Sequence, residues 1–339
     1  MQAIKKALTF RASSIGDSLM AKYLLENIMA SYPEARCGLV VASRGGMIRD
    51  LLAAYPWIEV IEANRYSPRA LLALLKNFWR SDFVCTLYTG GTLNFSTKFI
   101  ARLLARRGSL IGFTDPSPVN GLLYDTILPH YGRSGVPRLH ECSALNSRGI
   151  PIATERMTFK YLPQHGLLER FNLQEKKYIV VGLFSGSAAR GLSPERRQEL
   201  VNDLARAMPS VPLIFIGTET ERAEIHKMTL PQNAKIVETS VQEVAALIDQ
   251  SAGMVSLGTG TSHIAAHLRV PLVVLVACQG LQWVGKDQFG DAPISVFSRP
   301  EMCPNGHDYF GYGKCLDAID MDAVGKRAAQ EFGHLLSGQ

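Results

Sequence analysis

The sequence predicts an α/β protein built from two doubly wound units, each a parallel sheet with helices on both faces. Three observations carry this. Short, almost continuously apolar strand candidates alternate with helix candidates up to about residue 112. The alternation lapses over 114–174, a stretch rich in Pro, Gly and His, and restarts at 178. Strands this apolar, separated by helices, are covered on both faces. At about 100–200 residues per domain, 339 residues fit two domains, drawn at 1–165 and 166–339 with a hinge expected near 155–177.

In the first half, strands are predicted at 7–11, 37–42, 58–61, 83–87 and 110–112, with helices at 18–32, 45–55, 68–79 and 92–106 between them. One further helix is predicted at 138–147, inside the irregular stretch. The second half opens with a strand at 178–184. Ser193 then caps a helix whose first residue is Pro194, the one position where proline is tolerated. A strand at 213–216 precedes a helix over 219–228. Ser240-Val241-Gln242-Glu243 is a capping box that opens a helix to Gln250. Strands at 253–256 and 271–277 flank a helix over 261–268, and a last helix covers about 321–336. In such sheets ligands bind at the carboxyl ends of the strands, so a site is expected there and in the cleft that two units would form.

Bulk properties narrow the class. The chain is 47% hydrophobic and 19% charged, enough to bury two cores. A formal charge of +6 favours anionic partners. It is too modest to demand nucleic acid, and no reading motif accompanies it. The first ten residues lack a signal-peptide core, and the longest apolar run, 270–278, is far short of the roughly 20 residues a membrane span needs. A cytoplasmic protein is therefore expected. The six cysteines show no CxxC spacing. Among Cys37, Cys85, Cys142, Cys278, Cys303 and Cys315, three sit in apolar or helix-like contexts and read as core residues, whereas Cys303 and Cys315 share a loop-rich region where pairing or metal binding stays open. Their spacing does not match zinc ligands, so no metal is expected. No GxGxxG follows a predicted strand, which disfavours a dinucleotide-dependent oxidoreductase.

The most informative stretch is Ser256-Leu257-Gly258-Thr259-Gly260-Thr261-Ser262-His263. A small-residue loop between strand and helix leaves the first helical N–H groups without partners, and the helix dipole adds positive potential. Its glycines admit a phosphate close to the backbone. The simpler reading is a tight strand-to-helix turn capped by Thr261 or Ser262.

Set beside Arg11-Ala12-Ser13-Ser14-Ile15-Gly16-Asp17 after the first strand, this stretch resembles the second of two signatures of glycosyltransferase family 9, the heptosyltransferases. Phe184-Ser185-Gly186-Ser187-Ala188-Ala189-Arg190 and Gly217-Thr218-Glu219-Thr220-Glu221-Arg222 are similar to segments of that family's second domain. Cys303 and Cys315-Leu316-Asp317-Ala318-Ile319 resemble its C-terminal tail. The segments occur in the family's order over almost the whole chain.

The resemblance implies a GT-B fold, two Rossmann-like domains facing a cleft, with the C-terminal helix packing back onto the first domain. It implies an inverting, metal-independent transfer of heptose from ADP-heptose to a lipopolysaccharide core, at the cytoplasmic face of the inner membrane and without a cofactor. It implies Asp17 as the general base. The simpler alternative is that Asp17 only caps the following helix. Arg190 stands where the family carries a lysine that meets the donor phosphates, and arginine adds a bidentate fork. Otherwise it is a solvated charge ahead of a helix. Ser187 joins it in the implied donor site. Glu219 or Glu221 would accept hydrogen bonds from the nucleotide ribose, or serve only as partners of the helix dipole. Gly258, Thr259, Gly260, Thr261 and Ser262 would hold the diphosphate. His263 would neutralise it or touch the sugar, unless it is a structural residue at a helix start.

On the acceptor side the implied residues are Ser14 and Gly16, with Lys98 and Arg102. Lys98, Arg102 and Arg106 recur every fourth residue beside Phe99, Ile100, Leu103 and Leu104. That stripe suits an anionic glycolipid or membrane surface, extended by Arg65, Arg69 and Lys76, or equally an ordinary amphipathic helix. The departure from the family is Gly258, where an aspartate is usual. A glycine there implies a different donor sugar, weaker donor binding, a substituting residue, or a relative that binds without transfer.

Overall fold

The structure, a computed structural model, describes residues 3–11, 14–63, 67–87, 94–115, 117–130, 136–278, 280–304 and 312–337. It divides into two compact units, Met1–Met157 and Thr158–Gln339.

The first unit runs β1 (Lys6–Arg11), α1 (Ile15–Ser31), β2 (Arg36–Val41), α2 (Gly45–Leu51), β3 (Ile58–Glu62), α3 (Pro68–Phe78), β4 (Phe83–Thr86), α4 (Phe95–Leu104), β5 (Leu110–Phe113), α5 (Asn120–Leu123), β6 (Thr126–Leu128) and α6 (Pro137–Asn146). All pairings are parallel, in the order β3-β2-β1-β4-β5-β6. The inner strands are the apolar runs the sequence showed: Leu8, Leu39, Val84 and Ile111 are fully buried.

The second unit runs α7 (Leu167–Arg170), β7 (Ile179–Gly182), α8 (Pro194–Ala207), β8 (Leu213–Phe215), α9 (Glu219–Ile225), β9 (Ala234–Ile236), α10 (Val241–Gln250), β10 (Gly253–Leu257), α11 (Gly260–Leu268), β11 (Leu272–Leu275), α12 (Leu281–Val284), α13 (Lys286–Phe289), β12 (Ile294–Phe297), α14 (Lys314–Asp317) and α15 (Met321–Ser337). Its sheet, also all parallel, repeats the arrangement as β12-β11-β10-β7-β8-β9. In both sheets the chain winds outward in one direction for three strands, returns to the middle, and winds outward the other way.

Three strands lie outside the sequence expectations: β6, β9 and β12. They are edge strands of three or four residues, only partly buried. A short half-exposed edge lacks the apolar run that marks an inner strand. Helix α1 begins at Ile15, three residues before the expected start, because Ser14 caps it. The expected start of the fourth helix, at 92 and 93, lies outside the described residues. The caps at Ser193 and Ser240 form as read, with Ser240 N donating to Glu243 Oε2 at 2.8 Å and Glu243 N to Ser240 Oγ at 3.2 Å.

Within the second unit α15 packs against α8. Its Val324, Ala328 and Phe332 are buried in the second core with Leu200, Val201 and Leu204 of α8. Gly325 lets the two helices close up, since a Cβ there would sit 2.9 Å from the Asp203 carbonyl. Phe332 lies over the first residue of β10, where a Cβ on Gly253 would come within 2.3 Å of the ring. Gly253→Ala should therefore cost about 1–3 kcal/mol through overpacking. Urea unfolding of the single and of Gly253→Ala/Phe332→Leu should show a double variant less destabilised than the sum of its parts. Strict additivity would remove this contact from the account.

Candidate functional site

Both sheets have a switch point where the winding direction reverses: between β1 and β4 in the first, and between β7 and β10 in the second. Crevices outside the carboxyl ends of strands at such points are where open α/β sheets bind ligands. The loops after β1, β7 and β10 hold most of the residues singled out from the sequence.

In the second unit β10 delivers Gly258 and Thr259 to the N-terminus of the nine-residue α11. Gly258 N donates to Leu275 O at 2.9 Å, so this residue still belongs to the sheet ladder. Thr259 is the N-cap. Ser262 is fully buried, and its Oγ accepts from Thr259 N at 3.0 Å while donating to Thr259 O at 2.7 Å. Its hydroxyl thus holds the loop's shape and is not a donor directed at a ligand, a correction to the role expected for it. Gly258, Thr259, Gly260 and Thr261 stay partly exposed. The amides of Gly260 and Thr261 lie in the first turn, where helix geometry supplies no acceptor. The Thr259 and Thr261 hydroxyls meet at 3.2 Å, and Thr261 Oγ1 is 3.4 Å from Ser256 Oγ.

The end of β7 lies directly against this loop. A Cβ on Gly182 would come within 2.9 Å of Ser256 Oγ and 3.4 Å of Thr261 Oγ1. Gly182 was not singled out from the sequence; its signal was a glycine closing an otherwise β-branched strand. Gly258 differs, because a Cβ there would meet Val276 at 3.4 and 3.6 Å, which is ordinary contact. The backbone does not require glycine at that position, so its small size bears on what occupies the space beyond it.

His263 departs from its expected role. It is 7% exposed, packed edge-on against Trp283 with ring centroids 5.8 Å apart and near Phe289 at 6.4 Å. Burial pushes its pKa down to about 4, so it is neutral at physiological pH and carries no charge to oppose a diphosphate. Its Nδ1 is buried with no partner among the described residues. A neutral imidazole nitrogen beside the first turn of α11 is a hydrogen-bonding group, not a counter-ion. The aromatic residues that impose this lie twenty and twenty-six residues further on and carried no local signal.

After β7 the chain makes a short 3-10 turn, Ala188–Arg190. Arg190 N donates to the carbonyl of Ser187, which precedes the turn, at 3.0 Å. The Arg190 side chain is exposed, and no described carboxylate pairs with it. Glu221 is committed to a capping box, its Oε2 accepting from Thr218 N at 2.7 Å and its own N donating to Thr218 Oγ1 at 3.4 Å. The ribose-binding role expected of Glu219 or Glu221 therefore narrows to Glu219, which is exposed at the start of α9.

In the first unit Asp17 is the third residue of α1, at the carboxyl end of the central strand β1. It is not the N-cap; Ser14 is. Asp17 N donates to Ser14 Oγ at 3.0 Å, and Ser14 Oγ donates to Asp17 Oδ2 at 2.6 Å. The Ser14 hydroxyl thus orients the carboxylate, while Gly16 is buried in the helix's first turn. Ala12 and Ser13 lie outside the described residues.

Beside Asp17 lies a buried ion pair between Arg11 and Glu141 of α6, both side chains 1% exposed. The Nε and Nη1 of Arg11 and Oε1 of Glu141 find no hydrogen-bond partner among the described residues. Burial raises the pKa of Glu141 to about 7; the negative charge of Asp17 adds to this, and Arg11 opposes it. The folded carboxyl keeps its proton to about pH 7, whereas its ordinary value is 4.5. Folding therefore takes up a proton between those values. The Glu141 contribution favours the folded state most below about pH 4.5 and is lost as pH rises through about 7. His140 and His263, both pushed down to about 4 from 6.5, act in the opposite sense between those values. Comparison with Glu141→Gln isolates the glutamate: melting midpoints from pH 5 to 8 should fall more steeply in the parent than in the variant. Parallel curves would contradict the buried-carboxyl reading.

The basic stripe is taken up by ion pairs and hydrogen bonds within the first unit, which corrects the acceptor assignment of Lys98 and Arg102. Lys98 is fully buried, and its Nζ donates to Asp115 Oδ1 at 3.0 Å, Asp115 Oδ2 at 2.7 Å and Asn120 Oδ1 at 2.7 Å. Arg102 binds Asp125 at 2.7 Å and the carbonyls of Leu123, Ala105 and Arg106, while Arg106 reaches Asp82 at 3.5 Å. What α4 turns outward is Phe95, Phe99 and Leu103, the reverse of the expected arrangement. Arg69 and Lys76 are exposed on α3; Arg65 lies outside the described residues. No helix among the described residues is long and apolar enough to cross a membrane.

No model of a protein family and no curated protein matches the chain. Solved structures do. A glycosyl transferase family 9 protein from Veillonella parvula is 12% identical with a TM-score of 0.74, and the match covers 98% of this chain and 99% of that one. The Escherichia coli ADP-heptose lipopolysaccharide heptosyltransferase II is 17% identical with a TM-score of 0.68 over 98% and 99%. The E. coli heptosyltransferase WaaC with ADP is 15% identical with a TM-score of 0.67 over 96% and 99%. At these identities the likeness establishes the fold: two Rossmann-like domains of the GT-B type.

Proposed function

We propose that the chain is an inverting, metal-independent glycosyltransferase that moves a sugar from a nucleotide-diphosphate donor, with ADP-heptose as the first candidate, to a lipopolysaccharide-core or related anionic glycan. The observation that carries this is the β10–α11 loop, where first-turn amides and two threonine hydroxyls lie against the end of β7, the strand whose following turn carries Arg190, exposed and with no carboxylate partner among the described residues. The fold is shared with solved heptosyltransferases, one of them bound to ADP.

In this reading the donor diphosphate rests on the amides of Gly260 and Thr261, with Arg190 meeting its charge and Glu219 accepting from the ribose. Asp17, held by Ser14, takes the proton of the acceptor hydroxyl. That oxygen forms a bond to the anomeric carbon as the bond to the diphosphate oxygen breaks, inverting the configuration. The negative charge leaves with the diphosphate and stays at the helix N-terminus. A lipid-linked acceptor would place the work at the cytoplasmic face of the inner membrane, without the basic stripe as anchor.

The test is release of ADP from ADP-heptose in the presence of heptose-free core acceptor, set against ADP-sugars with other glycosyl groups. Acceptor-dependent release supports the reading and names the donor. Gly258 favours a second reading, a relative that binds nucleotide without transfer. Saturable ADP binding with no release from any ADP-sugar would select it.

A further inference from the structure

Outside the proposed donor and base sites, the described residues bring Cys278, Cys303 and Cys315 together, with their sulfurs all within 4.8 Å of one another. They come from three separate places: the loop after β11, the stretch after β12, and the first turn of α14. All three are thiols. Cys315 is fully buried and the other two are half-buried. The backbone N–H of Cys278 donates to Cys315 Sγ at 3.5 Å. Amide hydrogen bonds to sulfur of this kind orient and stabilise thiolate ligands.

We infer that these three cysteines form a thiolate site for a divalent cation of the zinc class, a structural clamp on the carboxyl edge of the second sheet. A tetrahedral ion with bonds of about 2.3 Å to sulfur sets its ligands about 3.8 Å apart. The observed spread requires a closure of about 1 Å at most, within reach of two half-buried loop side chains. Soft thiolates select such a cation over magnesium or calcium. A water molecule or an added ligand fills the fourth position. Binding releases three protons to solvent, and the ion's charge replaces the mutual repulsion that three adjacent thiolates would suffer.

The clamp lies near the donor loop. Cys278 follows Leu275 and Val276 by two or three residues; Leu275 O accepts from Gly258 N, and Val276 lines the space at Gly258. Metal would hold the outer half of the edge on which the anion loop is built. The inference stands on the sulfur geometry and not on the transferase reading, and its test reads metal directly.

The full chain, kept reduced, is stripped with a chelator and titrated first with Zn²⁺ against a chromophoric competitor, then with Co²⁺ as a spectroscopic probe. The expected result is one equivalent of Zn²⁺ per chain and, with Co²⁺, thiolate-to-metal charge-transfer bands with tetrahedral ligand-field bands. Each of Cys303→Ser and Cys278→Ser should cut the charge-transfer intensity by about a third and weaken Zn²⁺ binding at least tenfold. Cys142→Ser, in the other unit, should leave both unchanged. Cys303 is half-buried in a loop, so its serine variant tests the site even where Cys315→Ser fails to fold. Absence of stoichiometric Zn²⁺ binding in the parent, or unaltered binding in Cys303→Ser, would overturn the inference.

Discussion

Asp17→Asn should lower acceptor-dependent ADP release by about 10²–10⁴-fold, the contribution of a positioned general base. Asparagine keeps an oxygen for the Ser14 hydroxyl, which lies 2.6 Å from the present carboxylate, so α1 keeps its cap. Donor binding should persist, because the residues proposed to hold the diphosphate belong to the second unit and Asp17 to the first. The expected signature is a fall in kcat with the ADP dissociation constant within about twofold of the parent. Ser14→Ala should give a smaller loss, since it removes the orienting hydroxyl and leaves the base. Full turnover in Asp17→Asn would remove Asp17 from the chemistry and leave it as the Ser14-bonded carboxylate of the first helical turn.

Arg190→Ala should weaken ADP binding by about 10- to 150-fold, the equivalent of the roughly 1.5–3 kcal/mol that a hydrogen bond to a charged group contributes. The side chain is exposed and unpaired among the described residues, so the melting temperature without nucleotide should not change. Arg190→Lys should recover part of the loss, through charge without the bidentate fork. The parent's ADP affinity should also fall with added salt more steeply than the variant's. Calorimetric titration reads all three. An unchanged dissociation constant in Arg190→Ala would leave the anion site to α11 alone.

How far these assignments were legible depends on whether the signal was local. The inner strands were readable because burial on both faces writes an unbroken apolar run, as in Ile179–Gly182 and Leu272–Leu275. The edge strands β6, β9 and β12 write none. The β10–α11 loop was readable as small residues between a strand and a helix. Glu221 was open to a better reading, since Thr218 and Glu221 have the spacing of a capping box, the same pattern recognised at Ser240 and Glu243. Lys98 was not. A four-residue repeat places Lys98 and Arg102 on one face of α4 but does not say which face is buried. That was decided by Asp115 and Asn120, from a segment past β5. His263 lost its charge to Trp283 and Phe289, and Glu141 reached Arg11 from 130 residues away. Cys278 escaped notice beside Cys303 and Cys315 because it precedes them across a whole strand.

The central claim is that the β10–α11 loop binds the diphosphate of a nucleotide-sugar donor, and calorimetric titration with ADP, UDP, GDP and CDP tests it most directly. The account predicts saturable one-to-one binding with ADP preferred, thermal stability that rises with ligand concentration, and binding weakened about 10- to 150-fold in Arg190→Ala. No binding of any of the four nucleotides would contradict it.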